Sequence, residues 1–357
     1  MEQLRFLILG QKPMADKGKE MKTIKILFLC FGVFAFASAP KEPIDFSSNT
    51  HIYGTKQIEQ IKNWGFDSPT AGVVSGSVAQ MQGSAIGVLD NGEKISGIEG
   101  VSGLGELFTL LQHQYFAPIL LAIILLVPLA FATHLMIFKS KSFSHGVKYK
   151  VFSKYNIIIH WLTATPFIAI CITGVIMIFG KYFGGGTFVR LARDIHGICT
   201  LAFAIFGPLM FLMWVKASLP KLYDIKWLLM LGGYLTRGKT ISTPIPSGQF
   251  NAGMKMWFWV CTLGGFIMIA TGAILYFQLV SINALRLSAI LHNVLGFIII
   301  ALLFTHIYMS VFAIEGALSS MIDGNMGEEE LAILHSYYYK ELQESGKLEG
   351  MRVSSHH

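Results

Sequence analysis

The chain has 357 residues, 53% of them hydrophobic and only 14% charged, with a mean hydropathy of +0.55 and a net charge of +7. Several apolar runs reach the ~20 residues that span a bilayer, and the basic residues gather beside those runs, which argues for a membrane protein and against a nucleic-acid partner. Its four cysteines, Cys30, Cys171, Cys199 and Cys261, all sit in apolar segments without a CxxC or Cys/His cluster, against zinc, iron–sulfur ligation or a disulfide framework.

Residues 1–39 read as an N-terminal extension and signal peptide. Met21 to Ala39, MKTIKILFLCFGVFAFASA, has two lysines, an apolar core and small residues before Pro40, the layout of a secretory signal. Residues 40–112 are rich in Gly and Ser with weak periodicity, and are expected to form a loosely structured external segment. Residues 113–154 hold an additional span, about Tyr115 to Phe138, and a basic loop. A second span runs from Tyr155 to about Phe179, a third from about Asp194 to Val215, a fourth from about Met256 to Phe277, and a fifth from Leu291 to Phe312. The tail, 315–357, is polar.

Loop charge sets an orientation. The 139–154 and 216–255 loops carry five and six Lys/Arg residues, whereas 181–193 and 281–287 carry three and one. The positive-inside rule makes the first pair cytoplasmic. An exported mature N-terminus followed by five spans gives the same topology and leaves the tail in the cytoplasm.

The fifth span carries two histidines, His292 and His306. Ionisable side chains inside a span are costly and usually functional. Their separation of 306 − 292 = 14 residues returns both rings to nearly one face, offset by about 40° and about 21 Å apart along the axis. One helix thus offers an imidazole near each side of the membrane. On the assigned topology His160 enters its span near the inner side and His196 near the outer side. His160 therefore matches His306 in depth, and His196 matches His292. Each pair suits bis-histidine ligation of one haem iron; a proton relay or simple helix packing is the alternative. Gly174, Gly197, Gly272 and Gly296 would let a macrocycle or a neighbouring helix approach. Arg190 and Arg193, beside His196, suit haem propionates, or interfacial anchoring and pairing with Asp194. His113 and His134 read as interfacial residues, and His51, His145, His335, His356 and His357 as solvated ones.

Specific stretches then bring a family into view. PSGQFNAGMKMWFW, Pro246 to Trp259, is the most specific. HW at His160-Trp161, IKWLL from Ile225, THIYM from Thr305 and EGALSSMIDG from Glu315 add to it. Over roughly Tyr155 to Tyr339 the chain resembles the gamma subunit of membrane-bound respiratory formate dehydrogenases, a di-haem cytochrome b with a quinone site. The resemblance implies an all-α integral membrane protein. Its core would be a four-helix di-haem cytochrome b bundle (155–314) with one additional N-terminal transmembrane helix. It places His160, His196, His292 and His306 on the four haem b ligand positions, and Asn251 and Gly253 on quinone-site positions. It implies two partners in the bacterial inner membrane: a catalytic molybdenum or tungsten pterin subunit and an iron–sulfur subunit. Electrons would enter at the outer haem and reduce a menaquinone or ubiquinone near the inner one. Two electrons moved inward against ~150 mV store roughly 7 kcal/mol. Met254, where the family commonly has Gln or Glu, and His335-Ser336-Tyr337, in place of a His-rich tail, depart from the pattern. Cytochromes b of nickel–iron hydrogenase and thiosulfate reductase share the scaffold but generally lack the NAGxK and FW signature. A transporter or proton channel with polar histidines is the reading from another class.

Overall fold

The computed structural model describes residues 103–353, apart from His145 and Leu279. The signal-like segment and the Gly/Ser-rich stretch up to residue 102 lie outside the described residues, as do His51, His145, His356 and His357. Among the described residues, five helices are long and apolar enough to cross a membrane.

The first crossing begins earlier than the apolar run suggests. Helix α1 (Gly103–Leu110) continues through a π-helical turn at Leu111–Tyr115 into α2 (Phe116–Phe138). Residues 103–112 are therefore helical and continuous with the first span. This helix packs along the last span, with Phe116 edge-on to Phe297 at 5.7 Å and Phe131 stacked on Tyr308 at 4.4 Å.

Helix α3 (Lys154–Ile178) starts where Ser153 and Asn156 close a reciprocal capping box, which satisfies two of the amides that a helix start leaves open. Gly184, Gly185 and Gly186 all have positive φ, a turn that glycine makes at least cost. They send the chain back as α4 (Gly186–Trp214). The third span thus opens eight residues before the expected Asp194. Its charges are settled locally: Arg193 pairs with Asp194 at 2.9 Å and Arg190 donates to Thr187. Pairing of this kind lets a helix extend past its continuously apolar run.

After a short amphipathic helix, α5 (Leu222–Met230), the chain returns as α6 (Ala252–Trp259). A π-helical turn at Val260–Gly264 joins it to α7 (Gly265–Phe277). Helix α8 (Ile282–Tyr308) follows, capped by Ser281. It too starts earlier than expected, because Arg286 is wholly buried within it. The Arg286 guanidinium lies against Gly105 of α1, where a Cβ would come within 2.9 Å, and donates to Asn283 on its own helix. A lone cation that read as part of an exposed loop instead joins the additional helix to the bundle.

The segments 139–153, 215–251 and 314–353 meet on one side of the bundle, called here the basic side. Strand β1 (Lys148–Lys150) pairs antiparallel with β2 (Asn325–Gly327), setting Tyr149 opposite Met326. Lys141, 1% exposed, donates from Nζ to the carbonyls of Phe138, Thr236 and Gly238. The tail continues as α9 (Glu328–Leu334) and α10 (Ser336–Glu344). It clamps the 245–248 loop: Ile245 donates to Ile333, Ser336 to Ile245, and Tyr337 to Ser247. His335, expected to be solvated, is 5% exposed and bonds the Gly248 carbonyl at 2.9 Å. The tail folds back as a cap, and local polarity of its sequence did not reveal that.

Candidate functional site

His196 and His292 each stand ten residues into their helix, α4 and α8, well inside the span and not at its mouth. Their ring centroids are 6.3 Å apart. Two imidazole–metal bonds of ~2.0–2.1 Å placed end to end between facing rings require a separation of roughly this size. Both line one cavity of about 110 Å³ among α3, α4, α7 and α8. Its walls are mostly apolar, with Phe167, Phe203, Met268 and Phe297 among them, and Thr200 and Asn293 add polar groups.

The two rings are oriented in the same way. Thr173 Oγ lies 3.0 Å from His196 Nδ1, and Thr271 Oγ lies 2.9 Å from His292 Nδ1. Each hydroxyl also donates to a carbonyl of its own helix, Ala169 at 2.7 Å and Ile267 at 2.8 Å. A hydroxyl has one proton, so with that proton given to the helix it accepts from Nδ1–H. Nε2 then carries the lone pair, the form in which imidazole binds a metal, and such hydrogen bonds hold metal-ligating histidines in place. The glycine after each threonine completes the device. A Cβ on Gly174 would stand 3.7 Å from His196 Cε1, and one on Gly272 3.5 Å from His292 Cε1. Neither threonine was singled out from the sequence. The signal was the repeated dipeptide Thr173-Gly174 and Thr271-Gly272, each in the helix preceding a histidine helix.

The second pair sits nearer the basic side. His306 and His160 are within electrostatic reach of each other. Trp257 stacks on the His306 ring at 5.1 Å and 16°, and Trp214 approaches His160 at 6.1 Å. His160 Nδ1 is buried with no hydrogen-bond partner among the described residues. Leaving a buried polar nitrogen unsatisfied costs about 1–3 kcal/mol, a penalty that a bound group can offset. Two pairs of imidazoles among mostly apolar and aromatic side chains suit a haem better than a hydrated ion.

Other expected residues have plainer surroundings. Arg193 pairs with the adjacent Asp194 through Nε and a terminal guanidinium nitrogen. Asn251 is 8% exposed and caps α6, its Oδ1 accepting from Met254 N at 2.9 Å. The ring that needs Gly253 to be small is the chain's own Trp227, 3.0 Å from a Cβ built there. His134 is no isolated interfacial residue, because its Nδ1 bonds the Tyr308 hydroxyl at 2.7 Å. A buried ion pair went unforeseen: Lys255 Nζ lies 3.0 and 2.8 Å from the two carboxylate oxygens of Asp224.

Fold and site together define the class: a mostly helical, multi-pass membrane protein built like a cytochrome b bundle, with one additional helix ahead of it. The family model described as prokaryotic cytochrome b561 matches residues 151–324. Among curated relatives, the nitrate-inducible formate dehydrogenase cytochrome b556(Fdn) subunit of Escherichia coli K12 is 28% identical over 198 residues, 52% of this chain and 88% of that one. The formate dehydrogenase cytochrome b556 subunit of Haemophilus influenzae is 27% identical over 190 residues, 51% of this chain and 78% of that one. The cytochrome b556(fdo) subunit of Escherichia coli K12 is 24% identical over 196 residues, covering 52% and 89%. The resemblance read from the motifs is thus carried by the whole bundle.

Proposed function

We propose that this chain is the membrane-anchoring cytochrome b subunit of a respiratory formate dehydrogenase. It would hold two haem b groups and reduce a quinone near the basic side. The observation that carries the reading is the pair of facing imidazoles, His196 and His292, each held by a threonine with Nε2 left free. The names and coverage of the relatives supply the complex. Haem b supplies one-electron transfer between the two sides of the membrane. His196 and His292 hold one group, His160 and His306 the other. Thr173 and Thr271 fix the imidazole tautomers, and the apolar walls around Phe167 and Phe203 keep water from the first site. Asn251, with Gly253 beside it, offers amide and backbone groups to a quinone carbonyl. A catalytic molybdenum or tungsten pterin subunit and an iron–sulfur subunit would deliver electrons on the His196 side. The loop charges support a periplasmic mature N-terminus and a cytoplasmic C-terminus.

The purified chain should give b-type bands in a reduced-minus-oxidised spectrum and two haems per chain. His196→Ala should remove one centre and leave the other, and His306→Ala should remove the complementary one. A chain with no b-type bands, or substitutions that each remove the centre assigned to the other pair, would refute the reading. The identity of a co-purifying catalytic subunit separates formate from hydrogen or sulfur donors.

A further inference from the structure

Helix α5 (Leu222–Met230) has two unlike faces. Leu222 is 89% exposed, Ile225 60% and Leu229 82%, a spacing of three and four residues that lines one side of a helix. Leu228 is also exposed. On the opposite side Trp227 and Asp224 are buried, Trp227 against Gly253 and Asp224 on Lys255. Further exposed aliphatic side chains flank it along the chain: Leu212, in the last turn of the α4 span, is 70% exposed, and Leu219 in the short link and Leu231 and Leu235 after α5 are exposed as well. Soluble surfaces rarely gather so many large aliphatic side chains.

The charge around this face has one sign. Between residues 216 and 250 stand Lys216, Lys221, Lys226, Arg237 and Lys239, all exposed. Asp224 is the single acidic residue of that stretch, and it is turned inward to Lys255. Among the described residues, Lys239 is the only one of the five with an ion-pair partner, Glu315 at 3.5 Å. An apolar face next to an uncompensated basic rim is the pattern of a helix lying in a membrane interface.

We propose that α5 lies in the plane of the membrane, with Leu222, Ile225 and Leu229 among the acyl chains of the leaflet on the basic side and Lys216, Lys221 and Lys226 on anionic lipid headgroups. The bundle anchors its inner face, so a nine-residue helix, too short to bind a bilayer alone, is presented to the leaflet already folded. This seat goes beyond the proposed redox role and does not depend on it.

The test uses the full chain in lipid nanodiscs, with the native cysteines replaced by Ala and the helical fold confirmed by circular dichroism. A fluorescent label is placed in turn at Leu222→Cys, Leu229→Cys and Arg237→Cys. Nitroxide lipids labelled near the headgroup should quench positions 222 and 229, and iodide should quench them roughly tenfold less than position 237, as burial below the headgroups requires. Iodide quenching at 222 and 229 equal to that at 237 would put the face in water and overturn the proposal. Protection from both quenchers would mean that protein, such as a second copy of the chain, covers the face, and would overturn it too. For the headgroup contact, wild type should gain thermal stability in phosphatidylglycerol over phosphatidylcholine. The triple variant Lys216→Gln, Lys221→Gln, Lys226→Gln should lose that gain, and an undiminished gain would refute the anionic contact.

Discussion

Replacing Thr271 by Val removes one hydroxyl and leaves the shape of the side chain nearly unchanged. In the wild type that oxygen lies 2.9 Å from His292 Nδ1, and the residue is 5% exposed, so water cannot easily take its place. The variant leaves a buried N–H without an acceptor, at a cost of about 1–3 kcal/mol. At 1.4 kcal/mol per factor of ten, that overlaps the 10–100-fold loss in metal affinity usual when the hydrogen-bond partner of a ligating histidine is removed. An imidazole without its acceptor also donates less electron density, so oxidised iron loses more than reduced iron. The midpoint potential of that centre should rise, by ~59 mV for each tenfold difference between the two losses. Haem titration and optical potentiometry measure both effects. Thr271→Ser keeps the hydroxyl and should stay near wild type, whereas Thr173→Val should repeat the effect on the same centre through His196. Full haem content with unshifted potentials in Thr271→Val would show that the threonine only packs its helix and that His292 is oriented by something else.

Lys255→Met should destabilise the bundle by about 3–5 kcal/mol in detergent melts, because it strands the Asp224 carboxylate in a buried site. Adding Asp224→Leu should recover most of this, short of the ~1 kcal/mol lost with the Asp224 cap on the Lys221 amide. Gly253→Ala should slow reduction of added quinone while sparing haem content, since the new methyl meets Trp227 at 3.0 Å; unchanged quinone kinetics would place the quinone elsewhere. Burial pushes the Glu330 carboxyl up from 4.5 to about 7. Its folded form therefore holds a proton that the unfolded chain has given up between those values, and stability falls as pH rises through that window. Protease resistance of the 314–353 cap should be higher at pH 5 than at pH 8, by up to about 3 kcal/mol in opening free energy. Glu330→Gln should flatten that difference, and a cap equally resistant at both pH values would count against the assignment.

The sequence by itself determined the membrane class, five crossings, and the four histidines with their pairing by depth. Length, apolarity and the 14-residue spacing of His292 and His306 are local quantities, and a bilayer converts them directly into position. It also left legible the motif from Pro246 to Trp259, which led to the cytochrome b relatives. The helix starts were not legible in the same way. Arg193, Asp194 and Arg286 look like loop residues along the chain, and the pairing of Arg193 with Asp194 and the burial of Arg286 let α4 and α8 begin eight or nine residues earlier. The surroundings of His335 and of the Asp224–Lys255 pair were likewise decided in space, by a tail and a short helix folding over the 245–255 loop. The role of Thr173 and Thr271 belongs to the same group. A threonine in a transmembrane helix ordinarily bonds its own backbone, and both of these do. That each oxygen also accepts from a histidine on another helix depends on how the helices pack, because a hydrogen bond between helices is fixed by their relative placement and not by the residues along either one.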